Sequence, residues 1–137
     1  MLDLAAARER MVDVQVARRG VHDRRVLDAL RAVPRERFVE PGYEEFAYED
    51  GALPISDGQT ISQPYIVALM LEAASIQPDD RVLEVGAGSG YAAALASRLA
   101  RQVYAIERHR TLAAAAAGRF TALDYDNIEL RVGDGTL

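Results

Sequence analysis

Apolar and polar positions change rhythm along this chain, and the clearest rhythm lies in its second half. Short apolar runs at 81–85, 102–106 and 128–132 read as strands, and the longer segments 91–100 and 111–123 between them read as helices. Helical crossovers of that length favour parallel strands with helices on both faces, so the expected class is a doubly wound α/β sheet. Upstream, Val26, Leu27 and Leu30 recur at helical spacing across 23–32, where Asp23 can cap and Pro34 stops the run. Segment 4–19 is rich in helix formers, yet Val12, Val14 and Val16 alternate with polar residues as a strand would; it is read as helix with its period ambiguous. The aromatic stretch from Phe38 to Tyr48 contains Pro41 and Gly42 and reads as a connector packed on these helices. An irregular stretch after Ala52 leads to a helix over 65–74, with Ser62 or Gln63 as its cap and Pro64 in its first turn. No repeat or linker interrupts the chain. It is read as one domain over 1–137: a helical extension (1–51), a loop and helix (52–75) and a β-α-β-α-β core (80–137).

Composition narrows the function classes. A chain of 137 residues, half of them apolar, suits one modest core, and the absence of Cys excludes a disulfide scaffold or a thiolate metal site. His22 and His109 have no ligand spacing, so no metal is expected. The formal charge is −5, and the acids concentrate after residue 40, which argues against a nucleic-acid partner. No apolar run approaches the roughly 18 residues of a membrane span, and the N-terminus lacks the order of a secretory signal; a cytoplasmic protein with no membrane partner is expected.

The most informative run is the strand from Arg81 to Val85 leading into Gly86-Ala-Gly-Ser-Gly90 and then a helix. Such a turn allows close backbone approach, and the following helix offers N–H groups to a carboxylate or phosphate. A dinucleotide fingerprint starting at Gly86 needs Gly or Ala at position 91, where this chain has Tyr91; without Lys there is no P-loop either. The same turn also occurs as a packing device. Glu84, two residues before the first glycine, with Gly86, Gly88 and Gly90, resembles the first motif of class I S-adenosylmethionine-dependent methyltransferases. That resemblance implies a Rossmann-like sheet and S-adenosyl-L-methionine as cofactor, with Ala87 inside the turn and Glu84 near the ammonium. Glu107 stands just after the second strand, where a carboxylate can accept from both ribose hydroxyls, and Arg108 adjoins it. Gly133, Asp134 and Gly135 follow the third strand, where Asp134 could accept from an adenine amino group. Taken singly, Glu107 reads equally as a solvated strand end and Asp134 as an ordinary turn residue; their joint position at strand carboxyl ends is what points to a site.

The segment from Leu53 to Ala68, with Thr60-Ile-Ser-Gln-Pro64 at its centre, closely resembles the stretch preceding this turn in protein-L-isoaspartate O-methyltransferases. Ala32-Val-Pro-Arg-Glu-Arg-Phe-Val39 and Ala47-Tyr-Glu-Asp50 extend the likeness over nearly the whole chain; Ser56 stands where the family commonly has Gly. The resemblance implies methyl transfer to the α-carboxylate of L-isoaspartyl residues in damaged proteins, the start of their repair. It makes Ser62 the active-site serine and sets Ile61, Ser62, Gln63 and Pro64 against the cofactor. An acceptor carboxylate is already ionised at neutral pH, so Ser62 would orient it rather than act on a base; capping the next helix is a compatible role. With three of the family's strands present, a missing C-terminal segment or a partner is expected to complete the sheet. Two other readings stay open: methylation of an aspartate in a modified peptide, and a non-catalytic cofactor-binding fragment.

Overall fold

The computed structural model of the chain describes residues 3–135. Asp3 caps helix α1 (Leu4–Arg10) by accepting from the Ala6 N–H, and the helix continues as a π turn over Met11–Val16 and a 3-10 turn over Ala17–Arg19. The wider π turn resolves the valine ambiguity: Val12 and Val16 are fully buried while Val14 faces solvent, a helical rather than an alternating arrangement. Helix α2 (Arg24–Ala32) starts at Asp23, whose side chain accepts from the Arg25 N–H at 2.9 Å, and stops before Pro34. Arg25 then donates to the carbonyls of Ile76 and Leu99, at 2.7 and 2.6 Å, tying this helical layer to the later part of the chain. In the aromatic connector Phe38 and Tyr48 are buried, whereas Tyr43 and Phe46 pair near the surface with ring centroids 6.2 Å apart.

The stretch expected to be irregular contains a small hairpin, β1 (Leu53–Pro54) with β2 (Thr60–Ile61). Its turn has φ of 59° at Asp57 and 68° at Gly58, the Asp-Gly pairing that suits two successive positive φ values. Helix α3 (Pro64–Ala74) follows. Its N-cap position is Gln63, with no side-chain cap, so the capping role expected of Ser62 or Gln63 is not used; the Gln63 amide instead donates to Asp50 at 2.6 Å. Pro64 at the first helical position starts the helix with a preset φ and one fewer unbonded N–H.

The core is a parallel sheet in the order β3 (Arg81–Val85), β4 (Gln102–Glu107), β5 (Ile128–Val132). Helices α4 (Tyr91–Ser97) and α5 (Arg110–Ala122) form the crossovers. Successive strands added in one direction through right-handed crossovers carry both helices to the same face. Burial agrees with that: Val103 and Ala105 on one face are fully covered, while Leu83 and Val85 on the other are 62% and 59% exposed. Within the described residues, then, the two crossover helices cover one face rather than both. No helix among them is long and apolar enough to cross a membrane.

Close approach of α4 to α5 depends on Gly90, the α4 N-cap, with φ of 92°. A Cβ there would stand 2.8 Å from the Phe120 ring and 3.2 Å from the Ala116 Cβ. Gly90→Ala is therefore expected to cost about 2–4 kcal/mol in urea unfolding, from backbone strain plus overpacking. Gly58→Ala, with positive φ but nothing within 4 Å, is expected to cost only about 1 kcal/mol. Equal losses would refute the packing component.

Candidate functional site

The turn after β3 is laced to the end of β4. The N–H groups of Gly86 and Ala87 both donate to the Ile106 carbonyl, at 2.8 and 3.0 Å, and the Gly88 N–H donates to Glu107 Oε1 at 2.9 Å. Glu107 is 4% exposed, and its Oε2 accepts from the His109 N–H at 2.9 Å. One buried carboxylate thus ties the glycine turn to the entry of α5, and each oxygen has lone-pair capacity for a further donor. The turn's bonded N–H groups are committed to the protein itself, so binding capacity lies in neighbouring side chains and open volume.

That volume is a cleft of about 440 Å³ between α3, the outer edge of β3 and the glycine turn. Of the residues singled out from the sequence, Ile61, Ser62, Glu84, Gly86, Ala87 and Gly88 share its wall. Glu107 joins them through Gly88, and Gly90 stands behind as the α4 cap. Pro64 is buried at the start of α3, and Gln63 turns outward to Asp50. Arg108, Gly133, Asp134 and Gly135 do not line the cleft: the Gly133 N–H donates to the Glu107 carbonyl at 2.9 Å, and Gly135 approaches Val85. The third strand's end therefore meets the site through Glu107 instead of contributing to this wall.

Sequence reasoning did not single out the apolar wall that α3 supplies. Val67, Met70, Leu71 and Ala74 line it at helical spacing, a periodicity present in the sequence but indistinguishable there from ordinary core. Tyr91, the residue that breaks the dinucleotide pattern, also lines the cleft. Among the described residues no cluster of His, Cys or carboxylates is arranged to hold a metal ion.

Electrostatically the cleft is dominated by Glu84. Burial pushes its carboxyl up to about 7, and the neighbouring Glu107 charge adds to the rise. Its Oε1 is buried with no hydrogen-bond partner. A buried, unmatched carboxylate oxygen in a cleft wall fits a cationic donor such as an ammonium group. Burial likewise pushes the Tyr91 phenol up to about 12, so it is neutral at physiological pH.

Residues 6–137 match the family model described as protein-L-isoaspartate(D-aspartate) O-methyltransferase (PCMT). The chain belongs to this family. It is 59% identical over 133 residues to the protein-L-isoaspartate O-methyltransferase of Methylorubrum extorquens (strain PA1), covering 97% of this chain and 58% of that relative. With the enzyme of the same name from Roseiflexus sp. (strain RS-1) identity is 55% over 135 residues, covering 98% and 62%. The chain thus spans about three fifths of the length of these family members. A solved protein-L-isoaspartate O-methyltransferase superposes with a TM-score of 0.84 at 31% identity, over 93% of this chain and 42% of that one. A Plasmodium falciparum protein described as a member, in complex with S-adenosyl-L-homocysteine, gives a TM-score of 0.73 at 25% identity, over 95% and 62%. The three-stranded unit described above is therefore that of the class I methyltransferase fold, as the glycine motif implied.

The Glu84 environment predicts a pH dependence. Its folded pKa lies above the ordinary carboxyl value of 4.5, so the unfolded chain releases this proton first as pH rises. Stability from this group is complete below about 4.5 and is lost as pH rises through about 7. Urea midpoints measured from pH 4.5 to 7.5 should fall more steeply for the natural chain than for Glu84→Gln; parallel profiles would show that Glu84 titrates normally.

Proposed function

We propose that this chain carries the methyl-donor site and acceptor loop of a protein-L-isoaspartate O-methyltransferase, acting in the cytoplasm on L-isoaspartyl residues of damaged proteins and peptides. The observation that carries this reading is the half-buried Glu84, whose Oε1 is buried without a hydrogen-bond partner, in the same cleft as the exposed Ser62. S-adenosyl-L-methionine, when bound, supplies an electrophilic methyl on a cationic sulfur. Glu84 would receive its ammonium group, and ionisation of Glu84 would accompany that pairing, since an adjacent cation favours the charged carboxylate. Glu107, already rigid between two backbone N–H groups, has lone pairs left for the ribose hydroxyls. Asp134, between Gly133 and Gly135, is proposed to meet the adenine, with Arg108 beside Glu107.

The acceptor carboxylate is ionised at neutral pH and needs no general base. The protein's task is alignment and exclusion of water. Ser62 can donate its hydroxyl to one acceptor oxygen and so leave the other directed at the methyl group. Ile61, buried beside it, and the α3 residues Val67 and Leu71 give this loop an apolar backing. The acids near the sulfonium favour the bound ground state as well as the transition state, so the gain in rate comes from positioning.

Labelled S-adenosyl-L-methionine offered with matched isoaspartyl and aspartyl peptides should yield base-labile methanol from the isoaspartyl peptide alone. Equal labelling would refute the assigned specificity, and cofactor binding without transfer would leave a cofactor-binding role only. Ser62→Ala is expected to lower turnover about 10–100-fold with S-adenosyl-L-homocysteine affinity nearly unchanged. Glu107→Ala should weaken that affinity about tenfold or more. The reverse pattern would overturn both roles.

A further inference from the structure

Arg35, in the short 3-10 turn after Pro34, is fully buried, an unusual position for a guanidinium. Among the described residues no carboxylate lies within ion-pair distance of it. Its Nε donates to the Ala47 carbonyl at 2.7 Å, and its Nη2 donates to the Ser62 carbonyl at 2.9 Å. The guanidinium carbon lies 4.9 Å from the centroid of the Tyr91 ring, and that ring also packs on Phe38 at 5.6 Å. Nη1 is buried without a partner. Burial disfavours the charge and pushes the guanidinium pKa down, opposed in part by Tyr91.

Core packing does not account for this choice of residue. A buried charge without a counter-ion is costly, and a well-packed apolar side chain of similar volume is commonly neutral or stabilising in its place. Only the planar fork of Arg bonds two carbonyls from separate segments while lying against an aromatic ring. One carbonyl belongs to Ser62, at the cleft wall; the ring belongs to Tyr91, which follows the glycine turn directly. A second side-chain tether of the loop, from Gln63 through Asp50 to Arg19, is solvent-exposed and correspondingly weak.

We infer that Arg35 is a positioning residue of the methyl-transfer site: it fixes the Ser62 peptide relative to the start of α4, and so holds the acceptor loop in register with the glycine turn. The consequence for catalysis rests on the reading of Ser62 given above; the hold on the loop does not. In the full chain, Arg35→Met removes the fork and the charge but keeps apolar volume. Arg35→Lys keeps the charge and loses the two-point fork, and it guards against failure of the Met variant to fold. Amide hydrogen exchange at 60–63 is expected to rise about tenfold in both variants, with the β4 amides 103–106 changed less than about twofold. Unchanged exchange at 60–63, or an equal rise in β4, would overturn the inference, because the first denies the tether and the second reduces it to general stability. Turnover on an isoaspartyl peptide should fall about 10–100-fold with peptide KM and S-adenosyl-L-homocysteine Kd changed less than about threefold. Turnover at the natural level despite a loosened loop would also overturn it. If the natural chain transfers no methyl group, the methyltransferase reading fails, and the exchange comparison still decides the tether.

Discussion

The site depends on the Glu107 carboxylate being buried at the point where two strands end. A buried carboxylate is tolerated only if donors surround it, and here the donors are the Gly88 and His109 N–H groups. The same bonds that solvate Glu107 therefore shape the glycine turn and the entry to α5. Because β3 and β4 are neighbours in a parallel sheet, their carboxyl ends are level, and one side chain can span both connections. The Gly133 N–H on the Glu107 carbonyl brings in the end of β5 as well. Loss of this carboxylate would leave two backbone donors unmatched inside the fold, so the binding role proposed for it would share its atoms with a structural one.

How far the residues announce this arrangement depends on the length scale of the signal. Strands β3 and β5 fall where apolar runs put them, because each is a five-residue run bounded by turns. The carboxyl-end placement of Glu84 and Glu107 follows from the same pattern. Helix α4 ends at Ser97, short of the expected 100, because the chain passes through a turn before β4 begins. The β1/β2 strands are not legible in the sequence because two-residue strands carry no periodicity; the Asp57-Gly58 pair signals only the turn between them. Arg35 could not be chosen from Arg35-Glu36-Arg37 by pattern at all. Which of two nearby arginines is buried is decided by contacts with Ala47, Ser62 and Tyr91, which are distant in sequence.

The sheet is unevenly finished. Its helix-covered face is closed by α4 and α5, whereas Leu83 and Val85 remain largely exposed on the other, and among the described residues β3 has a strand partner on one side only. An apolar face and an unpaired strand edge are costly in water and invite pairing. The cleft itself borrows this edge, since Leu83, Glu84 and Val85 form part of its wall. Glu84 alternates with Leu83 and Val85 to the opposite face of the strand, so an element covering those two would leave its carboxyl reachable.

Two acids in one small site would ordinarily repel, and the fold distributes that cost unequally. Glu107 has its donors built in, while Glu84 has an unmatched oxygen and a carboxyl pushed up to about 7. Without a cation the arrangement favours one charge rather than two. A ligand that brings an ammonium group would supply the missing donor and charge together, and its binding would then release the Glu84 proton near neutral pH. On the proposed reading the pair would discriminate by charge before shape: a neutral nucleoside would meet Glu107 alone, whereas a ligand with a cationic end would also pair with Glu84.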